Sequence, residues 1–223
     1  MGPAKKIPTH EKVKEALHLI RGGEGQFVEF KKKVNHPEKI IREVVAFANS
    51  SGGHLFVGVE DSGRISGVKY PEEDEYILSK AITDLCRPKI SFSVDILQIQ
   101  SDVEILHYRI EESDNKPHFA FLVKKHRYGK AFVRSEDQSI QASYEVRQIL
   151  KRSKQVHQPI EFEEKTQELF RHFESHPCIT LTEYSQISGL NKKLASNKLI
   201  HLALSGALKI QPKEGGDIFI PAE

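Results

Sequence analysis

Glu24-Gly-Gln-Phe-Val-Glu29-Phe30-Lys31, then Ala46-Phe-Ala-Asn49-Ser-Ser-Gly52-Gly53, then Gly58-Val-Glu-Asp61-Ser-Gly63-Arg-Ile-Ser-Gly67: these three blocks decide how the chain folds. Gln26 to Val34 alternates as a strand, with Val28 and Phe30 on one face and Phe27, Glu29 and Lys31 on the other. Pro37 opens a helix, because its missing N–H costs nothing at the first position. Ile40, Ile41, Val44, Val45 and Ala48 form the buried stripe of that helix, and Ser51-Gly52-Gly53 stops it. His54 to Val59 is a short apolar strand. Asp61-Ser-Gly63 then turns the chain tightly, and Arg64 to Val68 returns as a hairpin arm. Acids and glycines punctuate a strand–helix–strand unit that would otherwise be plain core, which is how a site reads in sequence.

Working outward, Thr9 to Arg21 has Val13, Leu17 and Ile20 at helical spacing, with Gly22-Gly23 as the stop. Glu72 to Leu85 is a further helix, and Pro88 prevents its continuation. Strands follow near 90–99, 103–111, 118–124 and 131–134, and a helix from Ala142 to Arg152 closes the domain. Because strands dominate the second half, the expected class is α+β with a mixed sheet rather than a doubly wound one. Residues 153–159 are a polar linker. Beyond it, three helices (161–175, 182–188 and 191–204) precede a β-hairpin at 207–221, the order of a winged helix-turn-helix. The expected domains are therefore 1–152, with a motif core at 24–146, and 160–223.

Composition excludes several classes. The 223 residues are 38% hydrophobic and 29% charged, as in a soluble globular protein. No apolar run approaches the roughly 18 residues of a membrane span. The first residues carry charge with no apolar stretch behind them, unlike a signal peptide. Cys86 and Cys178 lie far apart and form no zinc or disulfide framework, which suits a reducing cytoplasm. The net charge of +2 says little about partners, but its distribution says more. From Lys116 to Lys154 there are ten Lys or Arg against three acids. That run is a candidate phosphate-facing surface, with Lys124, Lys125, Arg127, Lys130 and Arg134 as its contacts. A solvated strand-and-helix surface would look the same.

Glu24, Glu29 and Asp61 lie at a loop end, on a strand and at a strand end. If the two strands pair, the three carboxylates converge, and oxygen ligands of this kind hold Mg²⁺ or Mn²⁺. Lys31 shares the strand face of Glu29 and either pairs with the acids or steadies a phosphate. The bland alternatives are a surface strand acid and a turn-capping aspartate. In the third C-terminal helix, Lys192, Lys193, Ser196, Asn197, Lys198 and His201 make an acid-free polar face suited to a DNA groove. Against that, residues 160–223 carry seven Lys or Arg and nine acids, which suits dimerisation or protein docking equally. His172 and His176 have a metal-pair spacing without a third ligand. No Gly-x-x-x-x-Gly-Lys-Ser/Thr occurs, and Gly22-Gly23-Glu24-Gly25 precedes a strand rather than a helix, so no nucleotide-phosphate loop is expected.

The three blocks resemble the Schlafen AlbA-like domain family, once catalogued as divergent ATPases. Its pattern is a Glu followed by Glu-Phe-Lys, then Ala-Phe-Ala-Asn-x-x-Gly-Gly, then Gly-Val-x-Asp-x-Gly-x-Ile-x-Gly. Lys116-Pro117 and Phe132-Val-Arg134 look like its closing elements. The resemblance implies a nucleic-acid-binding fold, with RNA cleavage in some members by two Glu and one Asp that fall here on Glu24, Glu29 and Asp61. The leading expectation is a cytoplasmic DNA-binding regulator. The alternatives are a metal-dependent endoribonuclease acting on structured RNA with Mg or Mn, and an interaction module that homodimerises through its C-terminal domain.

Overall fold

Val28, Phe30, Phe56, Leu97 and Ile105 point to one side of a sheet, and Leu55, Val57, Leu106, Tyr108 and Ile110 to the other. A sheet that is apolar on both faces must be covered on both, and this one is. The computed structural model describes residues 10–122, 128–154 and 163–222. The chain divides into two units, Met1–Ser139 and Ile140–Glu223.

In the first unit, α1 (His10–Gly22) precedes β1 (Val28–Lys31), α2 (Pro37–Asn49) and β2 (Gly53–Val57). Then come α3 (Pro71–Leu85), β3 (Cys86–Arg87), β4 (Phe92–Gln100), β5 (Val103–Ile110), β6 (Phe119–Ala120) and β7 (Phe132–Ser135). The main sheet has the order β1-β2-β5-β4. β1 and β2 run parallel, joined through α2, and Glu29 lies beside Leu55 in their register. β5 is antiparallel to both β2 and β4, so the sheet is mixed as expected. Ala16 and Ile20 of α1 cover one face, and α2 and α3 cover the other with Ile41, Val45, Phe47, Leu78 and Ile82. Each of the larger side chains among these contributes about 1.5–3 kcal/mol through water exclusion.

Gly52 and Gly53 explain how α2 turns directly into β2. Gly52 adopts φ +75°, and a Cβ there would meet the Ile110 carbonyl at 2.7 Å. A Cβ on Gly53 would strike the Phe47 ring. Only glycine lets helix, ring and strand approach this closely. The expected hairpin arm at 64–68 is smaller than its sequence suggested: one bridge, Val59 to Ile65, closes the turn around Gly63.

β8 (Gln138–Gln141) pairs with β7 and leads into the second unit. That unit holds α4 (Tyr144–Arg152), α5 (Glu164–Phe173), β9 (Ile179–Thr180), α6 (Leu181–Ser188), α7 (Lys192–Leu204), β10 (Leu208–Gln211) and β11 (Ile218–Pro221). Helix α4 thus belongs with the C-terminal elements, where the sequence pattern had it closing the first domain. Leu169, Ile179, Tyr184, Leu199, Leu202 and Phe219 form the core. Thr180 and Glu183 make a reciprocal capping box at the start of α6. Gly189 at φ +66° ends it, and the Asn191 side chain caps α7 by accepting the Leu194 N–H at 3.0 Å. The expected hairpin gains a third antiparallel strand, giving the order β10-β11-β9. No helix among the described residues is long and apolar enough to cross a membrane.

Candidate functional sites

The parallel pairing of β1 with β2 puts Glu29 on the α2 side of the sheet, opposite Phe30, as the alternation required. There it is 8% exposed and meets Arg134 from β7. Arg134 Nη1 donates to Glu29 Oε2 at 3.0 Å, to Glu43 Oε2 at 3.1 Å and to Ser139 Oγ at 3.1 Å. Its Nη2 donates to the Gly25 carbonyl at 2.6 Å and the Asp137 carbonyl at 3.0 Å. The guanidinium lies 4.8 Å from the centre of the Phe47 ring. Its side chain is wholly buried. A buried cation needs this many acceptors to offset desolvation. Arg134 is therefore an interior hub, not the phosphate contact that the basic run suggested.

Lys31 is also turned inward to the acids. Its Nζ bonds Glu29 Oε1 and donates to the Phe30 carbonyl at 2.9 Å. Glu24 is exposed, and its Oε1 accepts the Phe30 N–H at 2.8 Å. Partial burial raises the Glu24 carboxyl above the usual range, opposed by the Phe30 N–H and reinforced by the charges of Glu29 and Asp61. The three acids are thus electrostatic neighbours. As arranged, however, both Glu29 oxygens are already given to cationic donors and Glu24 Oε1 to a backbone amide. Among the described residues no group of three or more His, Cys, Asp or Glu is disposed to hold a metal ion. In this arrangement protein donors occupy those oxygens, so a Mg²⁺ or Mn²⁺ held by Glu24, Glu29 and Asp61 would have to displace Lys31 from Glu29.

Two members of this node escaped the sequence reading. Glu43 lies three residues after Ile40 and four before Phe47, so it shares the buried helix face. An acid on such a face signals a buried cationic partner. Burial raises its carboxyl first, and the Glu29 charge adds to that; the Ser139 hydroxyl, Lys31 and Arg134 oppose it. Ser139 donates its hydroxyl to Glu43 and has no signal in sequence.

Asn49, whose side chain the helix-cap reading left optional, is 1% exposed and fully used. Its Nδ2 donates to the His118 carbonyl at 3.0 Å and the Phe132 carbonyl at 2.9 Å, and its Oδ1 accepts the His118 N–H at 2.7 Å. Ser50 Oγ accepts the Arg134 N–H at 2.9 Å. The Ala-Phe-Ala-Asn-Ser block thus staples α2 to β6 and β7. A second polar pair, half-buried His54 and buried His107, sits on the other face of the sheet. His54 Nδ1 and His107 Nε2 are 2.9 Å apart, and His107 stacks 4.3 Å from Phe56. Burial, with the nearby cationic charges, pushes His107 down to about 3.

In the second unit, α7 leaves Lys192, Lys193 and Asn197 exposed. Its polar face is not acid-free in space. Lys198 is held at 2.8 Å by Glu163, and Ser196 is buried and donates to Glu145 of α4. The expected contact surface of α7 therefore narrows to Lys192, Lys193 and Asn197. Lys130 is exposed. Lys124, Lys125 and Arg127 lie outside the described residues. His172 and His176 stack at 4.2 Å, with no metal-holding third ligand among the described residues.

Two solved structures resemble this fold. The DIP2311 protein from Corynebacterium diphtheriae is 21% identical at a TM-score of 0.44, over 60% of this chain and 25% of its own. The N-terminal domain of a putative ATP-dependent DNA helicase RecG-related protein from Nitrosomonas europaea is 20% identical at a TM-score of 0.43, over 59% of this chain and 95% of its own. This chain thus corresponds to only a quarter of the length of the first. No curated protein matches. The family model described as Schlafen, AlbA_2 matches residues 24–143, more than half of the chain, and the chain belongs to that family, which points to a nucleic-acid-related function.

Proposed function

We propose that the protein binds nucleic acid and acts as a DNA-binding transcriptional regulator, with α7 of its C-terminal unit as the contacting helix. The observation that carries this reading is the exposed, unpaired set of Lys192, Lys193 and Asn197 at the start of α7, in a chain of a nucleic-acid-linked family. Lysines supply sequence-independent phosphate affinity, and an asparagine amide offers the donor and acceptor that adenine presents in reverse. The order of helices and strands from α5 to β11, with its three-stranded sheet, supports a winged helix-turn-helix assignment. On that assignment α7 takes the recognition position.

The endoribonuclease reading draws no support from the carboxylates as they stand, because Arg134 and Lys31 neutralise Glu29. The regulator reading is tested by selection of the full-length protein against a pool of random duplexes. Enrichment of a defined sequence is expected. Retention of duplexes without enrichment would leave a non-specific binder, and no retention at low salt would remove duplex DNA as the partner.

A further inference from the structure

Lys192, Lys193 and Asn197 do more than face solvent. With Tyr144 and Glu145 of α4, Leu181 of α6 and Ser196, they line a hollow of about 340 Å³ within the second unit. Helix α4 begins at this hollow because Ser143 caps it, its Oγ accepting the Val146 N–H at 3.0 Å. Tyr144 follows as the first helical residue, with 51% of its surface exposed. Glu145 also lines the hollow; its carboxylate is held by a hydrogen bond from the buried Ser196 hydroxyl, which leaves its negative charge in place, so a phosphate is placed on the Lys192 and Lys193 side.

Two other lysines of the unit are committed: Lys165 pairs with Glu168 and Lys198 with Glu163. Among the described residues Lys192 and Lys193 make no ion pair, so the cations left unpaired on α7 are the two at the hollow. An exposed aromatic ring beside unpaired cations and an amide is the chemistry that holds an unstacked base and its phosphate. The volume sits at the small end of ligand sites, about 300–1,000 Å³, and so admits a single nucleotide unit rather than a folded strand.

We propose that this hollow takes one unstacked nucleotide of a single-stranded or frayed nucleic-acid end. The base lies on the Tyr144 ring beside Leu181, Lys192 and Lys193 hold its phosphate, and the Asn197 amide meets the base edge. The proposal rests on the nucleic-acid reading above and adds to it: besides duplex phosphates, the same face takes one unpaired nucleotide, because base-paired DNA offers no free base face whereas a single strand or frayed end does.

The test uses full-length protein and fluorescein-labelled oligonucleotides, one single-stranded and one a blunt duplex of the same sequence. Loss of one stacking ring, Tyr144→Ala, is expected to weaken single-strand binding by about 5- to 100-fold and duplex binding by less than about twofold, with Tyr144→Phe restoring the single-strand affinity. Unchanged single-strand affinity in Tyr144→Ala, or equal losses on both probes, overturns the proposal while leaving nucleic-acid binding in place. Failure of the wild type to bind either probe overturns both. Photo-crosslinking of a 5-iodouracil-containing strand to the wild type needs no variant. Adducts on the peptide that carries Tyr144 are expected, and adducts confined elsewhere overturn the assignment.

Discussion

The acidic node of the first unit and the lysine face of the second contrast in how their charges are answered. Around Arg134 every charge has a partner: Glu29, Glu43 and Lys31 close on one another within the sheet–helix interface. At the start of α7, two lysines and an amide stand open beside an exposed tyrosine. Charges that satisfy each other inside a protein contribute to its architecture and offer a ligand little. Charges that lack partners retain their full attraction for an outside phosphate. Glu29 and Arg134, both motif residues, are thus tied into the fold, and on the proposed reading the generic-looking helix carries the interaction surface.

The contrast breaks first at Arg134. Arg134→Met leaves two carboxylates facing each other in the interior without their cation. A loss of about 3–5 kcal/mol in unfolding free energy is expected, read by denaturant titration. A loss under about 1 kcal/mol, the size for an exposed cation, would return Arg134 to the surface role. Restoration by the additional change Glu29→Gln would show that the uncompensated carboxylate was the source.

Acid sensitivity sharpens the comparison next. His107 titrates near 3 in the fold, against an ordinary value of about 6.5. The unfolded chain therefore binds the extra proton between those values. The stability that neutral His107 contributes is fully present above pH about 6.5 and is lost as pH falls toward 3. Down to pH about 4 the loss is on the order of 3 kcal/mol. Glu24 and Glu43 act with the opposite sign. Their raised carboxyls favour the fold below the ordinary carboxylate range, and that contribution is lost as pH rises through their folded values. Unfolding measured from pH about 7 to about 4 should show a falling limb that His107→Leu flattens. An unaltered limb would assign acid sensitivity elsewhere.

The smallest expected effect is that of Mn²⁺. With Glu29 answered by Arg134 and Lys31, added Mn²⁺ should leave the unfolding temperature unmoved, because only a ligand that prefers the native state raises it. A rise that grows with Mn²⁺ concentration, accompanied by cutting of structured RNA, would show that Lys31 yields Glu29 to a metal.

Much of this fold was legible in sequence. The bounds of α2, the stop at Gly52-Gly53 and the opposite faces of Glu29 and Phe30 follow from periodicity and from residues with few conformational choices. What sequence could not show was long-range partnership. Arg134 lies 105 residues from Glu29 and 91 from Glu43, so in one dimension it reads as one more positive charge in a basic run. Lys198 reads as part of an acid-free face for the same reason, since Glu163 is 35 residues away. Strands as short as β9 escape because two residues carry no alternation. Helix α4 has an unmistakable start at Ser143, yet nothing local tells which unit it joins.

The most direct test of the account is the salt dependence of duplex binding by the full-length protein, wild type against Lys192→Gln/Lys193→Gln. Both lysines are exposed, so the variant should fold with its stability changed by less than about 0.5 kcal/mol. Loss of two phosphate contacts should make the log–log slope of affinity against salt shallower by about 1.8 and weaken binding to all sequences alike. An unchanged slope and affinity in a folded double variant would contradict the assignment of α7 as the contacting surface.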